Sequence, residues 1–203
     1  MLSRHLQRYG IWVISGLIGG STAAIAHATP ERIVIAPSTP LAAAALTTGA
    51  VSLEPWPVSD LFVIDVPTGW LTEALAEEAR AMITSYDATV QSPQATDIAT
   101  EISLVSEPPE TYVPQQLDTL IEAALAEEYV IDRYGITSVS GNDAFRLWLE
   151  QVPGEFSRQV ITFVGDAEGR TAKIVSSYND DAPATRDLIV QMHGSFRFDS
   201  AEE

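Results

Sequence analysis

An α+β fold, in which an antiparallel β-sheet is covered by helices as an αβα sandwich, follows from three features of the sequence. Strand-like segments are joined by tight turns, which pair strands antiparallel, rather than by the long crossovers that parallel sheets need. Two amphipathic stretches offer apolar stripes to lie on the sheet faces. A chain of 203 residues, 46% of them hydrophobic, is also long enough for one domain with a sizeable core.

The N-terminus reads as an export signal. Arg4 and Arg8 form a positive start, Ile11 to Ile25 is an uncharged and mostly apolar run, and Ala26-His27-Ala28 places small residues where a signal peptidase reads. Residues 1–28 are therefore expected to be a cleaved signal peptide, with no transmembrane segment left afterwards. An Ala-, Thr- and Pro-rich stretch follows without sustained period, so residues 29–55 are expected to be a disordered arm or linker. Its Ile33-Val34-Ile35, bracketed by Pro30 and Pro37, reads as a loop with a small apolar patch. The domain is placed at 56–199 and a short tail at 200–203.

Within the domain, Phe62, Ile64 and Val66 alternate with Leu61, Val63 and Asp65, the pattern of a strand with one strongly apolar side. Pro67 and Gly69 end it in a turn, and Trp70 folds back over the strand end as a lid. The stretch "LTEALAEEA" favours one or two helical turns. "RAMITSYDA" and "DIATEISLVS" read as strands. After Pro108 and Pro109 break the pattern, Pro114 to Tyr129 is the clearest helix, with Leu117, Leu120, Ile121, Ala124 and Leu125 repeating at three and four. A meander of three strands follows. Its first, "DAFRLWLEQV", places Phe145, Leu147 and Leu149 opposite Arg146, Trp148 and Glu150. "SRQVITFVG" and "TAKIVSSY" complete it through a turn at Gly169. A second helix starts near Asp181 as N-cap, carries Leu188, Ile189 and Met192 as its stripe, and ends at Gly194 before "SFRF".

Composition narrows the function classes. With 28 acidic against 11 basic side chains the net charge is −17, which repels a phosphate backbone and excludes nucleic acid as partner while suiting a basic protein face. The chain has no cysteine, so disulfides, thiolate chemistry and lipid attachment through Cys are excluded. Lys173 is the single lysine and so the single candidate for lysine chemistry. No zinc-protease helix, nucleophile elbow, phosphate loop in the mature part or EF-hand spacing occurs. His193, the one histidine left after cleavage, reads as a surface residue at a helix end: Asp187 does not share its face well, and Ser195, two residues on, is poorly placed as its nucleophile. Asp180 and Asp181 read as a helix cap; a divalent cation held by them with Asp166 or Glu168 is the sharper alternative. No catalytic or cofactor-binding residue is expected.

Several positions resemble the PsbP family, the extrinsic lumenal proteins of photosystem II, and the wider fold shared with a Ran-GTPase-binding nuclear protein. They are the first strand running from Phe62 through Pro67 to Trp70, the Asn142-Asp143-Ala144-Phe145 start of the meander, the hairpin "VITFVGDAEGRTAKIVSSY", and Ile189 followed by Ser195-Phe196. The chain departs from the family in lacking both the lipidated Cys common in cyanobacterial members and the basic N-terminal segment of plant members. The resemblance implies an exported, non-enzymatic binding or assembly factor of the thylakoid lumen or periplasm, whose partner is a membrane protein complex, photosystem II first among the candidates. The alternative is a periplasmic small-ligand carrier or cryptic hydrolase with a pocket near Trp70, Trp148 and Tyr178, three aromatics otherwise expected to be core.

Overall fold

The computed structural model describes residues 51–199, all within a contact unit that begins at Thr48. The expected signal peptide, nearly all of the arm, and the tail lie outside the described residues. Among those described, strands β1 (Leu53–Val58), β2 (Phe62–Pro67), β3 (Leu71–Leu75), β4 (Arg80–Thr84) and β5 (Ile98–Val105) come first. Helix α1 (Pro109–Glu127) leads into β6 (Val130–Val139), β7 (Asn142–Glu150), β8 (Arg158–Gly165) and β9 (Thr171–Tyr178), and the chain closes with α2 (Pro183–Ser195) and β10 (Arg197–Phe198). Two antiparallel sheets result, one ordered β1-β2-β10 and one ordered β3-β4-β5-β9-β8-β7-β6.

The strand β2 behaves as its alternation dictates. Phe62, Ile64 and Val66 are buried and pack with Ile83, Ile102, Ile174 and Val164 of the larger sheet and with Met192 and Phe196. The turn after Pro67 is closed by the Trp70 N–H donating to the Pro67 carbonyl at 3.1 Å, with Gly69 at φ +88°. The small sheet is tied to the end of α2 by one hydroxyl. Ser195 Oγ accepts the Asp65 N–H at 2.8 Å and donates to the Met192 carbonyl at 2.7 Å. Phe196 then stacks between Phe62 and Phe198, at centroid distances of 5.2 and 5.1 Å.

Four elements differ from the sequence expectation, each for a physical reason. Strand β1 begins inside the stretch assigned to the linker, because Trp56 and Val58 turn inward while Pro55 and Pro57 occupy an edge strand. There a missing N–H breaks no ladder. Leu71–Leu75 is a strand rather than a helix, followed by a 3-10 turn at Ala76–Glu78. Helix propensity over a few residues is a weak preference, and pairing from Leu71↔Thr84 to Leu75↔Arg80 overrides it. Helix α1 starts at Pro109 rather than Pro114. The first turn needs no N–H from proline, so Pro108-Pro109 opens the helix instead of breaking the chain before it. Finally, β6 is a full strand that the sequence hides, so the meander has four strands, not three. It is the last strand of its sheet and largely exposed, so selection for an apolar face is weak.

Helix α1 contributes Tyr112, Val113, Leu117, Leu120, Ala123 and Ala124 to a cluster with Leu147, Leu149, Ile161 and Phe163. Ile121 and Leu125, expected in its stripe, are exposed. Helix α2 contributes Ile189 to a cluster with Ile98, Val160 and Tyr178, against which Trp70, Trp148 and Leu188 pack. Its start is Pro183, with Ala182 rather than Asp181 at the N-cap position and no side-chain cap bond. Asp180 accepts the Ala182 N–H at 3.0 Å and the Thr185 hydroxyl at 2.8 Å.

Candidate functional site

Polar residues, three of them small, interrupt the apolar face of the larger sheet beneath α2, one each on β5, β9, β8 and β7. Thr100, Ser176 and Thr162 are fully buried, and Arg146 is 7% exposed. A side chain from α2 joins them. His193, with no exposed surface, accepts or donates to Ser176 Oγ through Nε2 at 2.8 Å and to Thr162 Oγ1 through Nδ1 at 2.8 Å. Thr100 and Ser176 hydroxyls meet at 2.6 Å, and Arg146 Nε donates to Thr162 Oγ1 at 2.8 Å. The result is one continuous hydrogen-bonded row of five side chains drawn from four strands and a helix.

Arg146 is the fixed donor at one end of that row, since a guanidinium only donates. Thr162 Oγ1 accepts its Nε–H and, with a second lone pair as well as a proton, can meet His193 Nδ1 in either tautomer of the neutral ring. Burial, and after it the positive charge of Arg146, push the imidazole pKa down to about 3. The ring is therefore a neutral spacer that satisfies two buried hydroxyls. It corrects the expectation of a surface histidine: α2 turns this position onto the sheet, one residue after Met192 and four after Ile189, both also buried.

A hydroxyl–imidazole pair is the raw material of nucleophilic catalysis, but neither Ser176 nor His193 has exposed surface. Ser195 is committed to Asp65 and Met192 and makes no bond to His193. Lys173 lies against α1, where Nζ donates to Gln116 Oε1 at 2.9 Å and burial pushes its pKa down. The acidic candidates are dispersed among arginines. Asp181 faces Arg158 at 3.6 Å and Arg186 at 3.3 Å, while Asp166 and Glu168 face Arg170 at 2.5 and 3.6 Å. No set of three or more His, Asp or Glu able to hold a metal occurs among the described residues. Trp70, Trp148 and Tyr178 do come together, but within the packed cluster under α2. A cavity of about 330 Å³ lies elsewhere, in the surface loop lined by Tyr86, Val90, Pro93 and Glu155.

The other unusual surface is β6 itself. It ends the seven-strand order, so its outer edge has no strand neighbour among the described residues. Tyr134 and Ile136 stand 72% and 87% exposed along it, beside Phe145 on β7 at an aromatic centroid distance of 6.1 Å. A bulge between Ile131 and Arg133 shifts the register so that Arg133 pairs with Trp148 and Gly135 with Arg146. The Arg133 guanidinium then lies 4.1 Å over the Trp148 ring. Sequence reading missed both features, although a run of Thr, Ser and Thr at inward strand positions and an exposed Tyr-x-Ile are visible once the strands are aligned.

No family model matches the chain, and no curated protein matches it at a significant level. Solved structures do. The solution structure of cyanobacterial PsbP (CyanoP) from Synechocystis sp. PCC 6803 is similar over 79% of this chain and 99% of that one, with 13% identity and a TM-score of 0.50. A point mutant of the protein Mog1 is similar over 74% of this chain and 97% of that one, with 11% identity and the same TM-score of 0.50. At such identities the likeness is one of fold: the chain has an α+β, mostly antiparallel PsbP-like fold with two helices, as the residues flanking its first strand and last hairpin predict.

Proposed function

We propose that this chain is an exported, non-enzymatic binding or assembly module that docks on a membrane protein complex through the open edge of its larger sheet. Supporting this reading is the strand β6, ten residues long, unpaired on its outer side among the described residues, and carrying the exposed pair Tyr134 and Ile136. The PsbP-like fold supports photosystem II as the complex and the thylakoid lumen, with the periplasm as the other compartment. Helices on opposite faces of the sheet, an αβα sandwich, would leave that edge as the accessible one. No helix among the described residues is long and apolar enough to cross a membrane, which fits an extrinsic partner. The carrier or hydrolase reading receives no support from Trp70, Trp148 and Tyr178, which pack together with Ile98, Val160 and Ile189.

The test is fractionation of source cells with an antibody to the mature chain, combined with photo-crosslinkers placed at Tyr134 and Ile136. A thylakoid signal released by salt, with crosslinks to one membrane complex, is the expected result. A signal confined to the soluble periplasm, with no crosslink at either position, would refute the docking role.

A further inference from the structure

Arg146 is a buried cation without an anion. Its Nε is used by Thr162, yet no carboxylate lies within ion-pair distance of its guanidinium among the described residues. Elsewhere in the described fold, arginines find acids: Arg158 has Glu150 and Asp181, and Arg80 has Glu78 and Glu101. Desolvation alone pulls the Arg146 pKa down, with no neighbouring acid holding it up. A largely desolvated charge without a counter-ion is costly, which favours an anion at its guanidinium.

Two further donors adjoin it through the Trp148 ring, whose centroid lies 5.8 Å from the Arg146 guanidinium. The indole N–H of Trp148 is buried and has no acceptor among the described residues. Arg133, brought by the bulge onto the same ring, is half exposed, and its one acid, Asp132, stays at 3.9 Å. Between Arg146 and the sheet edge stands Gly135, opposite Arg146 in register, where an added Cβ would meet nothing within 4 Å. Gly135 has no positive φ, so its backbone does not demand glycine. What glycine supplies is open space beside the unpaired cation.

We propose that Arg146, Arg133 and Trp148 form an anion site, entered over Gly135 from the β6 edge, that receives a carboxylate group. The planar guanidinium fork matches a carboxylate, and the ring beneath Arg133 walls the site. A singly charged carboxylate suits it better than a doubly charged phosphate because the chain around it carries a net charge of −17. The carboxylate comes from a free organic acid or from an acidic side chain of a docked protein segment. The site stands whichever membrane complex the chain serves, so its loss and the loss of the docking role are separate outcomes.

The experiment follows the Trp148 indole N–H and the Arg146 Nε–H resonances of the mature chain by NMR, at constant ionic strength. Acetate, a short capped peptide with one glutamate, and inorganic phosphate are titrated in turn. Saturable shifts of both resonances with acetate and peptide alike identify a free acid as sufficient; shifts with the peptide alone identify a protein side chain. Both support the site. Gly135→Leu, whose Cβ meets nothing within 4 Å, should keep the fold and weaken carboxylate binding about tenfold or more, and Arg133→Gln should weaken it several-fold. Arg146→Met should abolish it. Absence of a saturable shift with either carboxylate, a shift with phosphate alone, or unchanged affinity in a folded Gly135→Leu variant would each overturn the proposal.

Discussion

The two helices make an instructive pair. Helix α1 has 19 residues and the plainest amphipathic pattern in the chain, yet it buries none of them completely. Helix α2 has 13 residues and a thinner stripe, and it fully buries Ile189, Met192 and His193. Helix length and periodicity therefore report the tendency to be a helix, while burial depends on what lies beneath. Under α1 is a face of large apolar side chains such as Leu147, Ile161 and Phe163, on which Leu117, Leu120 and Ala124 pack while Ile121 and Leu125 stay in solvent. Under α2 the sheet presents Thr100, Ser176 and Thr162, small enough for a helical side chain to descend between them.

Four substitutions and conditions would break or sharpen that contrast. The largest effect is expected at Met192→Ala, about 3 kcal/mol of lost stability from transfer and cavity terms, read as a lower midpoint in urea unfolding. A cost under about 1 kcal/mol would mean that α2 is loosely seated. Next, Thr162→Val keeps the shape but strands Arg146 Nε and His193 Nδ1 without partners, for about 2 kcal/mol. Calorimetric stability equal to wild type would show that the polar row is ornamental.

The third is acid. His193 binds its proton near pH 3 in the fold, against an ordinary value of 6.5 when unfolded. Between those values the unfolded chain holds the extra proton, so this contribution is complete above pH 6.5 and is lost as pH falls toward 3. The slope is at most about 1.4 kcal/mol per pH unit, to be measured from pH 6.5 to 5 where most carboxylates stay ionised. A flat profile there would contradict the buried neutral ring. The smallest effect belongs to α1: Leu125→Ala, on a side chain 79% exposed, should move stability by less than about 0.5 kcal/mol. A larger loss would place Leu125 in an interface rather than in solvent.

Legibility along the chain tracks how far local pattern and tertiary environment agree. Phe62-Ile64-Val66 and Phe145-Leu147-Leu149 announce both strand and buried face, because each strand has one apolar side packed on a core. Leu71–Leu75 misleads, since its Ala and Glu favour helix while its partner β4 lies next along the chain and captures it as a hairpin. The candidate site was the least readable part. Neither Arg146 nor Thr162 stands out among other polar residues on their strands, and Gly135 sits on a strand whose exposed side chains leave no period to detect.

By itself the sequence determined the class of structure: antiparallel strands joined by turns, two helices, a Pro-Thr-Gly-Trp close to the first apolar strand, and a strongly acidic chain without thiols. These follow from short-range rules, namely side-chain alternation, turn chemistry and charge count, which need no knowledge of distant neighbours. Only the tertiary structure decided that His193 is buried rather than exposed, that α1 opens at Pro109, and that Arg133, Gly135, Arg146 and Trp148 meet at one sheet edge. Burial and pairing are properties of surfaces brought together across tens of residues, and a one-residue bulge in β6 is enough to choose which side chains face one another.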